Sequence, residues 1–494
     1  MKMIYGVKDK PPAGRLILFA LQQLLAILAA TITVPIAVNG ITGAQPDKFL
    51  PANLSTSAAL VGAGIGTLVY LLFTRFRSPV FLGSSFAFIE SMAAAFAGGV
   101  SMSLGYLGLI IGAVFAGLVY VVISLAVKFA GTKWIDKIMP AVVIGPTVAI
   151  IGLSLSGSAV GNLMQGGMAV EFSPYAALAC GLVALGVTIV CSVYGKKTLK
   201  MIPFIIGILS GYALAAILTG IGHAANVDAI KLIDFSAFKN MKWYPDFAFV
   251  EIFKGKFTAD IGIGAYIGAI AVAYVPVAFV VFAEHLADHK NISSIIEHDL
   301  LKDPGLHKTL LGDGIGSVAG ALFGGCPNTT YGESVGCVAI SGNASVRTIF
   351  VTALMAVVVA FIAPFVTFLS TIPPCVMGGV CVALYGFIAV SGLKMVQKVN
   401  LNDNRNLFTV SVILVAGVGG LALTFGKVTI TNVACALILG ILTNLLVNIG
   451  NKTKAVKEDN AEGSAEVQAQ TEEIPAEQKA EMPADEAAAT EETK

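Results

Sequence analysis

Two carboxylates lie within long apolar runs, where a charge is expensive and is usually kept for a function. Glu284 ends the run AYIGAIAVAYVPVAFVVFAEH, and Glu333 directly follows Tyr331 and Gly332. A carboxyl group in such a position can bind a proton, and it can accept hydrogen bonds from a polar solute. Glu284 and Glu333 are therefore the first candidates for a site that binds both a small molecule and a proton.

Glu90 and His285 are the other ionisable residues that lie clearly within apolar runs. We predict a structural position near a helix end for Glu90. Consecutive residues on a helix are about 100° apart, so His285 cannot easily share one ligand-facing side with Glu284. We therefore predict a helix-packing role for His285, while hydropathy alone places Glu284 near the cytoplasmic end of its run.

The overall composition is that of a membrane protein. Of the 494 residues, 56% are hydrophobic and 12% are charged, and the mean hydropathy is +0.83. Soluble proteins are typically about 45–50% apolar and 25% charged. The net charge of +1 gives no basic surface of the kind that binds nucleic acid. The seven cysteines have no metal-ligand spacing, so we predict neither a metal nor a cofactor.

Apolar runs of about 17–25 residues, the length that crosses a hydrocarbon core, predict eleven uninterrupted membrane-spanning helices. They lie at residues 16–39, 58–74, 105–130, 139–156, 174–194, 201–222, 262–286, 347–369, 373–391, 406–425 and 429–449. Three further runs, at 79–98, 309–325 and 327–341, contain Gly, Pro, Ser and Thr and predict short or interrupted crossings. The sequence thus predicts an all-α polytopic membrane protein with about fourteen transmembrane helices.

The distribution of Lys and Arg predicts the orientation in the membrane. If the N-terminus is inside, the cytoplasmic loops hold most of these cations, and the short external loops hold only Lys48 and Lys427. This bias predicts an inner (plasma) membrane protein with both termini in the cytoplasm. Residues 1–451 then form the transmembrane domain. Residues 452–494 are rich in Glu, Ala, Lys, Gln and Pro, which predicts a disordered acidic tail.

Two pairs of similar segments indicate a duplication within the chain. IMPAVVIGPTVAIIG (138–152) resembles IPPCVMGGVCVALYG (372–386), and SSFA (84–87) resembles TTYG (329–332). Either pair alone is weak, because apolar helices resemble one another by chance. Two pairs at nearly the same offset favour a duplicated half.

The duplication predicts repeat halves at about 1–222 and 262–451. Seven helices in each half would place the second half upside down relative to the first, as in many secondary transporters. Such transporters bind their substrate near the midplane, between two interrupted helices. The interrupted runs 79–98 and 327–341 are therefore the predicted site.

Several motifs occur together in the order and spacing of one known family. They are GSSFAFI (83–89), AEH (283–285), DPGLH (303–307), PNTTYGES (327–334) and VMGGV followed by LYG (376–386). In these motifs the chain resembles the bacterial uracil/proton symporters of the nucleobase/ascorbate family, over almost its whole length except the tail. The resemblance implies core and gate domains, a short strand at each interrupted helix, and a homodimer in the lipid bilayer.

The resemblance also implies a substrate and its contacts. The substrate is uracil, and the coupling ion is H+, with Na+ as an alternative. Uracil has two N–H donors and two carbonyl acceptors on a flat ring, which suits carboxylates, backbone N–H groups and an aromatic wall. The residues that the resemblance places around the ring are Glu284 and Glu333, the backbones of Phe86 and Gly332, and the side chains of Tyr331 and Tyr385.

Three positions depart from the pattern of the uracil symporters. Asp288 stands where His is frequent, four residues after Glu284, and His289 lies one residue further on. Gln23 replaces a first-helix His, and Ser334 replaces the usual Asn. Asp288 and His289 are therefore candidates for proton coupling together with Glu284.

Other functions are less favoured by the residues. A xanthine or purine permease, or a permease for another pyrimidine, is the nearest alternative, although TTYGESVG (329–336) favours uracil. An anion carrier would need a cation near the interrupted helices, which hold acids and neither Lys nor Arg. No H-E-x-x-H, G-x-S-x-G or Ser/His/Asp pattern occurs in the spans, so we do not predict an enzyme, and no filter sequence indicates a channel.

Overall fold

The computed structural model describes residues 3–166, 172–425 and 428–449. The predicted tail at 452–494, and its boundary with the membrane domain, lie outside these residues. The elements of the first half are α1 (Ala13–Ala44), α2 (Thr56–Phe73), β1 (Leu82–Ser84), α3 (Ile89–Ala94), α4 (Met102–Ala130), α5 (Lys133–Ile138), α6 (Ala141–Ser154), α7 (Ser156–Leu163), α8 (Pro174–Tyr194), α9 (Lys197–Met201) and α10 (Pro203–Ala225).

A connecting segment with two 3-10 turns, Asp228–Ile230 and Phe235–Asn240, leads to the second half. The elements that follow are α11 (Ala248–Ile252), α12 (Ile263–Ile296), α13 (Leu306–Gly324), β2 (Asn328–Thr330), α14 (Gly332–Ser341), α15 (Val346–Val359), α16 (Ala363–Ser370), α17 (Pro374–Val396), α18 (Asn404–Val418), β3 (Leu423–Phe425), β4 (Val428–Ile430) and α19 (Asn432–Val447). The described residues up to Asn444 form one compact unit, and the described residues from Leu445 to Ile449 fall in a second.

The helices are long and apolar enough for a multi-pass membrane protein. In the described part of the chain, eight helices could cross a membrane, or nine if α15 and α16, bent by 82°, are counted as one span. Several begin with a serine whose side chain accepts a hydrogen bond from the N–H three residues later, as Ser55, Ser101 and Ser173 do. Such caps satisfy backbone donors that have no partner within the helix.

One order of elements occurs twice. α1, α2, β1, α3 and α4 correspond in type to α12, α13, β2, α14 and α15, so each half has two helices, a three-residue strand, a short helix and a longer helix. The matched segments 138–152 and 372–386 also fall at equivalent places, because Pro140 precedes α6 and Pro374 begins α17. The two segments at 79–98 and 327–341 are interrupted, as predicted.

The segment 309–325 differs from the prediction, because α13 is continuous through it. Its glycines allow close packing instead of breaking the helix. A Cβ added at Gly62 of α2 would lie 2.5 Å from the carbonyl oxygen of Gly320, and one added at Gly66 would lie 2.7 Å from that of Gly316. Small residues at such positions let two membrane helices approach at backbone distance.

Two predicted spans are shorter than their apolar runs. The run 347–369 is divided between α15 and α16, and Pro364 lies in the first turn of α16, a position that proline favours. The run 406–425 forms α18 only as far as Val418 and then enters β3 after Gly420, which has a φ of +72°. β3 pairs antiparallel with β4, and this pairing was not predicted.

The helices pack in two groups. The first group contains α1, α2, α4, α12, α13 and α15, with α13 packed against both α2 and α4. The second group contains α6, α7, α8, α10, α17 and α18, with α17 packed against α6, α7 and α8. The candidate site lies where β1, β2, α3 and α14, which pack against the first group, meet the second group.

Candidate functional site

Two short strands meet at the centre of the site. β1 and β2 pair antiparallel, with Gly83 opposite Thr329. β1 leads through a 3-10 turn at Phe86–Phe88 into α3, and β2 leads into α14, which begins at Gly332. The first N–H groups of a helix have no partner within it. The N–H of Ile89 at the start of α3 already donates to the carbonyl oxygen of Phe86, so the donors next to the paired strands are those of the 3-10 turn and of the first turn of α14.

A cavity of about 340 Å³ lies beside the paired strands. Small-molecule sites commonly have volumes of about 300–1,000 Å³, so this cavity suits a small ring. It is lined by Ala26, Phe86, Val148, Ser192, Lys200, Met201, Pro203, Phe204, Glu284, Ala287, Asp288, Asn291, Thr329, Tyr331, Gly332, Glu333, Gly336, Cys337, Ile340, Phe387, Ile388 and Ser391. The predicted substrate-binding residues in this lining are Phe86, Glu284, Tyr331, Gly332 and Glu333.

Three carboxylates dominate the polar part of the cavity. Glu284 and Asp288 lie one turn apart on α12, and Glu333 lies in the first turn of α14. All three are half-buried, and Asp288 accepts a hydrogen bond of 2.7 Å from the hydroxyl of Thr330. Lys200, an exposed residue of α9, is the one cation among the lining residues whose side chains the structure describes. The cavity is thus suited to a solute with hydrogen-bond donors or to a cation.

Glu284 lies well inside its helix. It is about 18 Å along the axis from the end of α12 at Ile296, because the helix continues beyond the apolar run that Glu284 ends. Asn291, which we did not single out from the sequence, lines the same cavity. Positions 284, 288 and 291 are spaced as i, i+4 and i+7, so they share one helix face. This spacing is the sequence signal that could have identified Asn291.

Tyr331 joins the two halves of the site. Its hydroxyl donates to the carbonyl oxygen of Ser84 at 2.8 Å, and its N–H donates to the carbonyl oxygen of Phe81 at 3.2 Å. Its ring lies against Gly83, where an added Cβ would be 2.3 Å from ring carbons. The absence of a side chain at Gly83 therefore makes room for the Tyr331 ring.

We expect Gly83→Ala to destabilise the protein, because the methyl group must displace the buried Tyr331 ring. Overpacking of this kind typically costs about 1–3 kcal/mol. The measurement is thermal unfolding in detergent. Gly336→Ala is the matched control, since an added Cβ there would meet nothing within 4 Å. An unchanged unfolding temperature for Gly83→Ala would show that the ring can move freely.

Phe86 and Tyr385 form a pair of aromatic rings at the edge of the cavity. Their centroids are 5.7 Å apart and their planes meet at 79°, an edge-to-face contact. Phe86 lines the cavity, whereas Tyr385 does not and is only 3% exposed. Tyr385, predicted as a pocket residue, therefore lies behind Phe86 and supports its ring.

His289, predicted as a coupling residue, lies outside the cavity lining. It is fully buried, its Nδ1 donates to the carbonyl oxygen of His285 at 2.8 Å, and its Nε2 hydrogen-bonds to the hydroxyl of Tyr70 at 2.7 Å. His285 in turn hydrogen-bonds to Asp313 through Nδ1 at 2.7 Å. This buried network links α12 to α2 and α13, while Asp288 points to the cavity side of α12.

The two other departures from the family pattern contact each other. The amide nitrogen of Gln23 donates to the hydroxyl oxygen of Ser334 at 2.5 Å, and the backbone N–H of Phe81 donates to the same oxygen at 3.1 Å. α1, the start of β1 and the first turn of α14 are joined at this point. Gln23 and Ser334 therefore act as a pair that positions α14.

Comparisons with known proteins agree with the motifs. The profile of a family described as "Permease family" matches residues 14–425. The chain is 38% identical to the uracil permease of Bacillus caldolyticus, a match that covers 90% of this chain and 95% of that protein. It is 32% identical to the uracil permease of Escherichia coli (strain K12), with 90% and 94% covered. The chain belongs to the nucleobase/ascorbate transporter family. This permease is thus a transport protein, as predicted, and not an enzyme.

Solved structures show where else this permease fold occurs. The transmembrane domain of the cyanobacterial bicarbonate transporter BicA superimposes with a TM-score of 0.60 at 16% identity, covering 88% of this chain and 98% of that one. The murine anion transporter Slc26a9 in its inward-facing state gives a TM-score of 0.58 at 12% identity, covering 90% and 70%. At this level of identity, the likeness shows a shared fold and nothing about the solute.

Proposed function

We propose that this permease imports uracil across the inner membrane as a proton symporter that works by alternating access. The observation that carries the proposal is one cavity lined by the start of α14 and by Glu284, Asp288 and Glu333. Relatives that match along 90% of the chain are named uracil permeases, which selects uracil among small polar rings.

The cavity offers a complementary group for each polar edge of uracil. The ring N–H groups donate to the carboxylates of Glu284 and Glu333. The ring carbonyls accept from the free backbone N–H groups near Phe86 and Gly332, and the Phe86 and Tyr331 rings cover the flat faces. A site built in this way rejects rings that lack these donors and acceptors, because its own polar groups would then be unpaired.

The proton binds on the α12 face of the cavity. Burying a charged carboxylate without a partner is costly, and Glu284 and Asp288 face the same space on successive turns. Binding of one proton lowers the negative charge of the cavity when the neutral ring enters. In this proposal Glu284 exchanges the proton and Asp288 shares it, while the buried His289 acts through helix contacts. H+ is the coupling ion. The test is to replace the proton gradient by a Na+ gradient, which should not drive accumulation of uracil.

In this proposal the transporter is a 7+7 inverted repeat of fourteen membrane helices. The first packed group with α3, α14 and the two short strands is the core domain, and the second group with α19 is the gate domain. Movement of one group against the other would open the cavity alternately to the two sides. Both termini lie in the cytoplasm, the acidic tail follows the last helix, and two copies form a homodimer.

Uptake in a bacterial strain without its own nucleobase permeases tests the substrate. We expect cells that express this chain to accumulate labelled uracil above the external concentration, which a channel cannot do. A tenfold excess of unlabelled uracil should abolish the uptake, whereas xanthine, hypoxanthine, cytosine and bicarbonate should leave most of it.

Two results would contradict the proposed function. Stronger competition by xanthine or hypoxanthine than by uracil would favour the purine alternative. Equilibration without accumulation, unchanged when the proton gradient is collapsed, would show a passive pathway instead of a symporter.

A further inference from the structure

A second groove, of about 550 Å³, lies where the N-terminal segment meets the start of α15. The segment runs beside the residues before α15, since the N–H of Ala344 donates to the carbonyl oxygen of Tyr5 at 2.9 Å and the N–H of Val346 donates to that of Val7 at 3.1 Å. This pairing brings Lys8 close to the first turn of α15. The groove lies beside helix ends, at the start of α1, the end of α2 and the start of α15.

Two cations line this groove. Lys8 and Arg347 are both exposed and both line it, and neither forms an ion pair with any residue that the structure describes. The nearby carboxylate of Asp303 is already bound by Arg77 at 2.6 Å. The hydrogen bond from Arg77 holds the pKa of Asp303 below its ordinary value, so that carboxylate stays ionised and engaged. The charge of Lys8 adds to this lowering from a distance, without an ion pair among the described residues, so Lys8 and Arg347 can both contact an anion from outside the chain.

The rest of the groove is apolar and continues along α15. Its apolar lining includes Leu16, Phe76, Phe350 and Val351, and the ring centroids of Phe76 and Phe350 are 6.0 Å apart. Phe76 is 42% exposed. Beyond the groove, Leu354 and Val358 follow on the same face of α15.

This strip follows the helix away from the charged end. Positions 351, 354 and 358 have the spacing i, i+3 and i+7 of one helix face. Leu354 is 42% exposed and Val358 is 63% exposed. An apolar strip that starts at two cations and continues along a membrane helix has the same arrangement as a lipid, with its headgroup at one end and its chain at the other.

We propose that this groove binds an anionic phospholipid of the inner leaflet. The phosphate lies between Lys8 and Arg347, and one acyl chain follows Phe76, Val351 and the exposed face of α15. Basic pockets between helix ends on the cytoplasmic side are suited to anionic lipid headgroups. The acidic tail, residues 452–494 of this chain, would match the two cations but has little apolar surface for the strip along α15. The lipid therefore matches the groove better than the tail does.

The experiment measures lipid binding to the full chain in detergent by native mass spectrometry and thermal unfolding. Phosphatidylglycerol and phosphatidylcholine with identical acyl chains are compared. We expect phosphatidylglycerol to bind at least about tenfold more tightly and to raise the unfolding temperature further. The double variant Lys8→Gln/Arg347→Gln should lose this preference while keeping its uracil binding. Lys394→Gln/Arg405→Gln, with the same loss of charge at α17 and α18, should retain it.

Four outcomes would overturn the proposal. Equal binding of the two lipids would show that the cations do not select the headgroup. If Lys8→Gln/Arg347→Gln kept the preference for phosphatidylglycerol, the lipid would bind at another site. Stabilisation by inorganic phosphate alone, equal to that by phosphatidylglycerol, would identify a simple anion site. If replacing the Glu and Asp residues of the tail by Gln and Asn in the full chain destabilised lipid-free protein as much as Lys8→Gln/Arg347→Gln, the tail would be the occupant.

Discussion

Gly332→Val is expected to abolish uracil binding while the protein still folds. Gly332 is exposed to the cavity, and an added Cβ would meet only the Asp288 carboxylate, at 3.9 Å. The valine side chain therefore has room in the empty protein, but its methyl groups occupy the space next to the free N–H groups of α14. Loss of these donors and of ring contact should weaken binding by at least about 100-fold.

Equilibrium binding of labelled uracil to purified protein is the measurement, and thermal unfolding reports folding. Gly268→Val is the matched control, because Gly268 lies on α12 outside the cavity lining and an added Cβ there also meets nothing within 4 Å. The control should bind normally. Near-normal affinity of Gly332→Val would show that uracil does not lie against the start of α14.

Glu284→Gln is expected to bind uracil but to lose gradient-driven accumulation. The amide has the shape of the protonated acid and can still form hydrogen bonds to the ring, but it cannot release a proton. Native uptake should rise as the external pH falls and the inward proton gradient grows, whereas uptake by Glu284→Gln should depend little on pH. We expect at least about a tenfold loss of accumulation. Glu284→Ala should lose both binding and accumulation, because no hydrogen-bond partner remains.

Proteoliposomes at two external pH values, with an imposed gradient, provide the measurement for Glu284. Glu90→Gln makes the same chemical change in the first turn of α3, outside the cavity lining, and should transport normally. Glu333→Gln should reduce affinity more than it reduces the pH response, because Glu333 lies at the start of α14. Full accumulation by Glu284→Gln would remove Glu284 from coupling, and Asp288→Asn would then be the variant to test.

Much of this organisation could be predicted from local sequence. Apolar run length predicted most of the long helices, and Gly, Ser and Thr marked the two interrupted segments. Glu284 and Glu333 could be chosen because a carboxylate within an apolar run is costly and is seldom kept without a function. The predictions of the long helices and of the two interrupted segments succeeded because they depend on the chain's immediate neighbours and on the membrane, which acts on every span in the same way. Both carboxylates line the cavity, and their roles in binding and coupling stay predictions.

The signals that failed were also local ones. Glycines and other small residues predicted a short or interrupted crossing at 309–325, but in the fold α13 is continuous and its glycines form the contact surface with α2. The run 406–425 satisfied the length rule, yet α18 ends at Val418 and a strand follows. The positions of glycines and the length of an apolar run indicate which conformations the backbone can adopt. The partner helix or strand decides which of those conformations is used.

The site itself depends on tertiary structure. Gly83 meets Thr329 and the Tyr331 ring only because the two halves of the chain bring β1 and β2 together. Whether a residue next to Glu284 faces the cavity is also decided by packing: Asp288 lines it, and the adjacent His289 is held by Tyr70. Residue type and spacing thus determined the spans and the chemical groups. Which groups share one cavity was decided by contacts between residues distant in sequence, because the side of a helix that is buried depends on its neighbours.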